Sequence, residues 1–467
     1  MSKEIRADYT KQYLLPVSIE EWIPENHPAR FIREFIELMD LEDLGFKSRE
    51  AARGRSNFSI DLLLKVWLYG YMENIHSSRK LERACMNQIP LVWLTGNNAP
   101  DHNTLWRFYK DNRKAVNRLF RQSVKIATNA GLVEMVLHAV DGTIIKAHGS
   151  TQEVLNSEEI DRIINKIDAS VNKMYAEVSD NEEKESGSYR LPEDLTGREK
   201  LRERLVKAKE KMEEVNRKQI HPLEDEARMM RCSGKIDLAY NAQAVVDELE
   251  GIIVAESVTN EENDTHQLTS MMDEVKENTH RNAEETLADG GYFSSEELYK
   301  AEENNYPVII NLREDYDDEF HWSRFKYEES DDCLICPLGK KLEFSYIETW
   351  DKVPARVYKC KEHRGCPRRL ECSKHKKGRR VKLSKYHESM LRQKEKQNDV
   401  NKRLLLKRRK VIVEPAFGII KQCMGFRRFT AFGLKNAEAQ WSWICTVFNL
   451  KKLYKHWLTG TLITKHA

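Results

Sequence analysis

No run of 18 apolar residues occurs in the 467-residue chain, so the sequence offers no membrane-spanning helix. The stretch Met1-Ser2-Lys3-Glu4-Ile5-Arg6-Ala7-Asp8 has no apolar core of the export-signal kind, and a cytoplasmic protein is the expectation. Cysteine is odd in number, nine in all, with five between Cys333 and Cys372. That spacing argues against a disulfide framework and for metal binding in a reducing compartment. A His-Glu-x-x-His motif is missing too, which weighs against a zinc hydrolase.

Net charge is also nearly absent, at +2, but the total conceals a strong polarity. Between Asp247 and Asp332 there are 26 acids and 6 bases, and between Lys352 and Lys410 there are 23 bases and 5 acids. The basic stretch, with Tyr358 and Tyr386 among its arginines, suits a phosphate backbone, where each neutralised phosphate releases counterions. A solvated basic linker is the competing reading.

The length allows two or three domains with a real core. Residues 1–135 read as helical: Leu62, Leu63, Val66, Trp67, Tyr69 and Tyr71 crowd one segment, and Leu81, Ala84 and Cys85 follow the cap candidates Ser77 and Ser78. A further helix is expected after Asp101, with Leu105, Trp106, Phe108 and Tyr109 on an apolar side and Arg107 among its polar groups. Two readings stay open for it, a DNA-reading module and a bundle with a basic surface.

From Val136 the period changes. Strands are expected at Val136–Ala147, Ala239–Val246, Gly251–Val258, Thr286–Ala288 and Tyr306–Asn311, with helices after Thr265 and after Ser294. This order matches an α/β fold, an RNase H-like mixed sheet, if 150–227 is an insertion after the first strand. That insertion reads as a helical hairpin, with one stripe of Ile160, Ile163, Ile164, Ile167, Val171 and Met174 and another of Leu201, Leu205, Ala208, Met212 and Val215. The polar segment Ser179–Gly187 separates them.

Residues 330–378 form the cysteine-rich segment, read as a zinc-ribbon-like insertion. Cys333 and Cys336 make a Cys-x-x-Cys knuckle, and Cys360, His363, Cys366, Cys372 and His375 follow. Paired thiolates can share one tetrahedral zinc, which would be structural. The expected ligands are Cys333, Cys336, Cys366 and one of Cys360, His363 or Cys372.

Three acids stand out. Asp141 lies in an apolar strand, where a carboxylate is costly unless paired or holding a cation, and Gly142 beside it permits close approach. Asp289 ends Thr286-Leu287-Ala288 ahead of Gly290 and Gly291. Glu414 is expected to begin an amphipathic helix through Ala416, Phe417, Ile419 and Ile420, with Lys421 two turns on and able to hold a phosphate. The segment Gly425-Phe426-Arg427-Arg428-Phe429 either lines a DNA path or packs a helix against a loop.

In that order of strand, strand and helix, Asp141, Asp289 and Glu414 resemble the acids of the DDE transposases of bacterial insertion sequences. Tyr69-Gly70-Tyr71, Ser77-Ser78-Arg79-Lys80-Leu81-Glu82, Trp93-Leu94-Thr95-Gly96, Pro100-Asp101, Tyr240-Asn241-Ala242-Gln243, Asn263-Asp264-Thr265 and Asn449-Leu450-Lys451-Lys452-Leu453 are similar to that family as well. The resemblance implies an all-α DNA-binding domain over 1–135, a catalytic domain over 136–455 and a tail over 456–467. It implies two magnesium or manganese ions held by the three acids, and cutting and joining at the element's terminal repeats. It also implies a homodimer in the synaptic complex, associated with the bacterial nucleoid, no membrane partner, and DNA contacts from Lys421, Arg409, Lys410, Arg427, Arg428 and Arg107. The chain departs from the family where relatives carry arginine four residues before the glutamate and tyrosine three before that. Here Lys410 and Lys407 stand at those positions, with Arg409 next to the first. A nuclease of the same fold and an inactive DNA-binding protein are the alternative functions.

Overall fold

The computed structural model describes residues 18–47, 57–182, 193–232, 234–311, 319–350, 353–384 and 386–461, the backbone alone for 173–182, 193–196 and 323. The side chain of Met174, residues 183–187 of the polar segment, and the outermost parts of both expected terminal segments lie outside what is described.

The first stretch is helical, as its patterning requires. It contains α1 (Pro28–Glu37), α2 (Ile60–Met72), α3 (Ser78–Asn87), α4 (Ile89–Leu94), α5 (His102–Asp111) and α6 (Arg113–Asn129). Asp101 caps α5, accepting from the Thr104 N–H at 2.8 Å, which satisfies an amide that the first turn leaves without a helical partner. Ser77 holds the N-cap position of α3 without a side-chain bond.

Next come β1 (Leu137–Lys146), a pair of long helices, α7 (Ser157–Glu182) and α8 (Glu193–Glu214), and then β2 (Arg228–Cys232), β3 (Lys235–Asp247) and β4 (Ile253–Thr259). Ile160, Ile167, Leu205, Ala208 and Met212 join in a small apolar cluster of their own, the stripe pairing expected of a hairpin. After β4 follow α9 (Leu268–Thr279), β5 (Glu285–Ala288), α10 (Ser295–Glu303) and β6 (Val308–Ile310). These strands form one mixed sheet in the order β2-β3-β1-β5-β6, with β4 also on β3. β3 runs antiparallel to β1, β2 and β4, while β5 is parallel to β1 and β6. β3 is thirteen residues long, which lets β2 and β4 share its outer edge.

A second sheet, antiparallel and five-stranded, lies between β6 and the C-terminal helices. Its order is β11-β10-β9-β8-β7, built from β7 (Lys326–Glu328), β8 (Cys333–Ile335), β9 (Lys341–Trp350), β10 (Val353–Cys360) and β11 (Arg380–Ser384), with the single-turn helix α11 (Arg369–Cys372) before β11. The basic stretch is therefore folded structure over much of its length, and the linker reading fails there. It continues into α12 (His387–Asn398) and α13 (Val400–Gly418), and α14 (Leu434–Leu458) follows.

One apolar core joins the helical region to the larger sheet through α14. Trp443 stacks against Tyr71, with ring centroids 5.6 Å apart, and lies 6.2 Å from Trp67 and from Tyr109. Asn449 ties α14 to β4, accepting from the Ile253 N–H at 2.9 Å and donating to its carbonyl at 2.8 Å. A buried amide must satisfy both ends in this way to avoid a desolvation penalty. No described helix is long and apolar enough to cross a membrane.

Candidate active site

The parallel pairing of β1 with β5 sets the site. Ala139 lies opposite Leu287, so Asp141 and Asp289, each two residues further along, emerge at the same level of the sheet. Asp289 follows the last residue of β5 and caps a short 3-10 turn, Gly290–Tyr292, accepting from the Gly291 N–H at 3.3 Å. The turn is tight: a Cβ on Gly290 would lie 2.6 Å from the Asn311 carbonyl oxygen.

Arg409 of α13 joins the two acids. Its Nη1 is 2.7 Å from Asp141 Oδ2 and its Nη2 is 3.1 Å from Asp289 Oδ2, and its side chain is 9 % exposed. Arg409 was expected on DNA; the structure turns it inward instead, because it falls on the buried stripe of α13 with Ile412, Val413, Ala416 and Phe417. Burial raises the Asp141 carboxyl above its usual range, against the lowering pull of Arg409 and of the Gly142 N–H, which donates to Asp141 Oδ1 at 3.0 Å. Two hard oxygen donors that already share one cation are the chemistry a divalent magnesium or manganese ion requires.

Glu414 is placed differently from expectation. It sits inside α13, which starts fourteen residues earlier at Val400, and it is exposed. The run Lys402–Lys410 hides the helix start from a reading by apolar pattern, since its polar face is almost entirely basic. Lys410 and Glu414 share a stripe of α13 by their four-residue spacing, and both are exposed. Lys421 follows on a single π-helical turn, Ile419–Cys423, and donates to the Ile144 carbonyl at 3.2 Å. Burial lowers its ammonium from the usual range.

The remaining basic candidates are exposed. Arg427 and Arg428 point outward between Phe426 and Phe429, which are buried with rings edge to face at 5.4 Å. The aromatics of that motif therefore serve packing. Arg107 is exposed on α5, far along the chain from the acid pair.

The cysteines fall into two groups. Cys333 is buried but is absent from the small core of the second sheet, Phe325, Leu334, Leu342, Tyr358 and Val381, whereas Cys336 and Cys360 pack on that core. Strand alternation sends Cys333 to the opposite side of β8 from Leu334, and Cys333 is not among the thiols that act on Cys372. Cys336 Sγ accepts from the Lys340 N–H at 3.4 Å. Burial raises the Cys372 thiol, and Cys336, Cys366 and Cys360 are near enough to raise it further. Among the described residues, no three His, Cys, Asp or Glu side chains converge closely enough to hold a metal ion.

Buried polar residues that the sequence motifs contained without a role also line the site. Asn241 and Gln243 of β3 both donate to Asp264 Oδ1, at 2.8 and 2.6 Å, and the Tyr292 hydroxyl donates to Gln243 Oε1. Their signal in the sequence is polar amides at alternate positions of an otherwise apolar strand.

The mixed sheet thus delivers two carboxylates side by side beneath a basic helix. Residues 335–454 match the family model Transposase DDE domain, and residues 17–111 match Transposase domain (DUF772). Together the two matches, which span less than half of the chain, support a likeness to the DDE-type insertion-sequence transposases. The first match contains Arg409, Glu414 and Lys421, while Asp141 and Asp289 lie between the two. No curated protein matches the chain.

Proposed function

We propose that the protein is a DNA transposase that cuts at the terminal repeats of its element and joins the freed 3′ ends to target DNA. The observation that carries this is the shared approach of Asp141 and Asp289 to one cation, the Arg409 guanidinium, in a chain with two transposase matches. The strand order β4-β3-β1-β5-β6, with three antiparallel and then two parallel strands, supports an RNase H-like reading of the sheet, with domains at 1–135 and 136–455.

In this reading Asp141, Asp289 and Glu414 would hold two magnesium or manganese ions, which requires Glu414 to close on the aspartate pair, because the three carboxylates do not converge in the structure. Such ions would activate a water or a 3′-hydroxyl and stabilise the leaving oxygen of a phosphodiester. The protein's own part is to aim carboxylates from a rigid sheet and a helix, and to place cations along the DNA path. Exposed Lys410, Arg427, Arg428 and Arg107 are free to meet double-stranded DNA by charge. Lys421 stands beside β1 three residues beyond Asp141 and marks where a phosphate near the acids would lie. Synapsis of two ends implies a homodimer in the active complex. A structural zinc would fall on Cys336, Cys360, Cys366 and Cys372, thiols near enough to act on one another electrostatically, rather than on Cys333, although no three of them converge to bonding distance.

The test is cleavage and strand transfer on labelled DNA carrying the element's end, in magnesium or EDTA, by the wild type, Asp141→Asn and Glu414→Gln. Metal-dependent nicking and joined products, lost in both variants, are expected. End binding without any cutting by the wild type would instead identify a binding protein, and cutting without joining a nuclease.

A further inference from the structure

A carboxylate can only accept hydrogen bonds, so it dictates the orientation of any amide that meets it. Asp264, five residues after β4, does this to two amides at once. Its Oδ1 accepts from Asn241 Nδ2 and Gln243 Nε2, and the same Gln243 nitrogen donates to Asn241 Oδ1 at 3.0 Å. With its nitrogen so committed, Gln243 turns its oxygen toward the Tyr292 hydroxyl, which donates to it. Gln243 and Tyr292 are fully buried and Asn241 nearly so. Asp264 itself is half-buried.

The ends of this relay are the two acids' own supports. Gln243 lies opposite Gly142, the neighbour of Asp141, in the β1–β3 ladder. A Cβ on Gly142 would lie 2.5 Å from Gln243 Nε2 and 2.6 Å from Asp264 Oδ1, so the glycine admits the relay directly beneath the strand. Tyr292 closes the turn that begins at Asp289.

We infer that Asp264 is a positioning residue, which acts through Gln243 and Tyr292 to fix the turn carrying Asp289 against the strand carrying Asp141. This rests on the reading of that acid pair as the metal site. Asp264 need not touch metal or DNA to act in this way.

The experiment uses the full chain and two readouts. One is Mn2+ affinity by electron paramagnetic resonance; the other is hydrogen exchange in the peptide spanning 286–296. Asp264→Ala and Gln243→Glu should each weaken Mn2+ binding by ~10–100-fold, the usual cost of losing an outer-shell partner, and speed exchange at the turn. The double variant Gln243→Glu/Asp264→Asn reverses the polarity of the bond: the new amide at 264 donates to the new carboxylate at 243, which still accepts from Tyr292. It should restore both readouts, which a loss of packing alone would not predict. Wild-type affinity and exchange in a folded Asp264→Ala protein would overturn the inference, as would a double variant no better than the singles. Should Asp264→Ala fail to fold, Tyr292→Phe and the double variant decide the matter. Asp141→Asn separates the two layers: if it leaves Mn2+ binding intact, the metal reading falls, and exchange at the turn still judges Asp264.

Discussion

The Arg409 guanidinium lies 2.7 Å from Asp141 Oδ2 with little access to solvent. Removing one partner of a buried ion pair leaves an uncompensated charge, typically at a cost of about 3–5 kcal/mol. Arg409→Ala should therefore lower the unfolding midpoint in EDTA. Magnesium should then stabilise the variant more than the wild type, because an ion that binds only the native state raises its stability and no longer competes with the guanidinium. Thermal unfolding with and without magnesium measures both effects. An equal magnesium shift in the two proteins would mean that Arg409 does not occupy the ion's place.

The second sheet has a small core for five strands, and its β9 is mostly exposed. A structural metal is the usual remedy for so little apolar burial. The protein isolated without chelator should contain about one zinc per chain, measured by elemental analysis. Cys336→Ser, Cys360→Ser, Cys366→Ser or Cys372→Ser should each abolish it, and Cys333→Ser should keep it. Loss of zinc in Cys333→Ser with retention in Cys372→Ser would restore the original knuckle.

A different carboxylate pair controls pH dependence. Glu256 and Glu274 line the wall of a 960 Å³ cleft between α6, β4, α9 and α14. Burial pushes Glu274 up to about 7 and raises Glu256 well above the ordinary glutamate range, where the neighbouring Glu274 and Glu438 raise it further; Arg121 lowers Glu274 and Glu277 raises it. A carboxyl raised in the folded state stabilises most when the unfolded group is also protonated, and this contribution is lost as pH rises through the folded value. Wild-type stability should fall between the ordinary glutamate value of 4.5 and about 7. Glu274→Gln should unfold a few degrees higher than the wild type at pH ~8 and with no advantage at pH ~4, the window set by this linkage. A constant difference across that range would show that Glu274 keeps its ordinary affinity for protons.

The sheet that carries Asp141 and Asp289 was legible because its strands are short apolar runs cut by glycine and acid. What escaped has physical causes. β2, Arg228-Met229-Met230-Arg231-Cys232, is an edge strand with charges at alternate ends, and only its pairing with the long β3 defines it. The second sheet gathers a core cluster of only five buried side chains and carries charge on most strands, so its composition resembles a linker. Arg409 was read as a surface cation because a lone arginine in a basic run gives no sign that it faces inward; only the pitch of α13 from Val400 decides that. Asn241, Gln243 and Asp264 were visible as motif residues, but their chemistry depends on a contact between β3 and the loop after β4.

Gly290 gives the sharpest test of how Asp289 is held. Its φ is not in the left-handed region, so an alanine there would meet no backbone strain. The obstacle is the Asn311 carbonyl oxygen, 2.6 Å from the new Cβ, and backbone cannot yield as a flexible side chain can. The Asn311 N–H also donates to the Ala288 carbonyl at 3.1 Å, so a shift of Asn311 disturbs the end of β5 itself. Gly290→Ala should thus displace the turn and cost about 1–3 kcal/mol, as overpacking does, with metal-dependent cleavage reduced beyond what the stability loss explains. Gly291→Ala is the control, since its Cβ would meet only Asp264 Oδ2, at 3.4 Å. Thermal unfolding and cleavage rates for the pair settle it: equal activity in both variants would show that the Asp289 turn tolerates movement and that its tight seat against Asn311 serves packing alone.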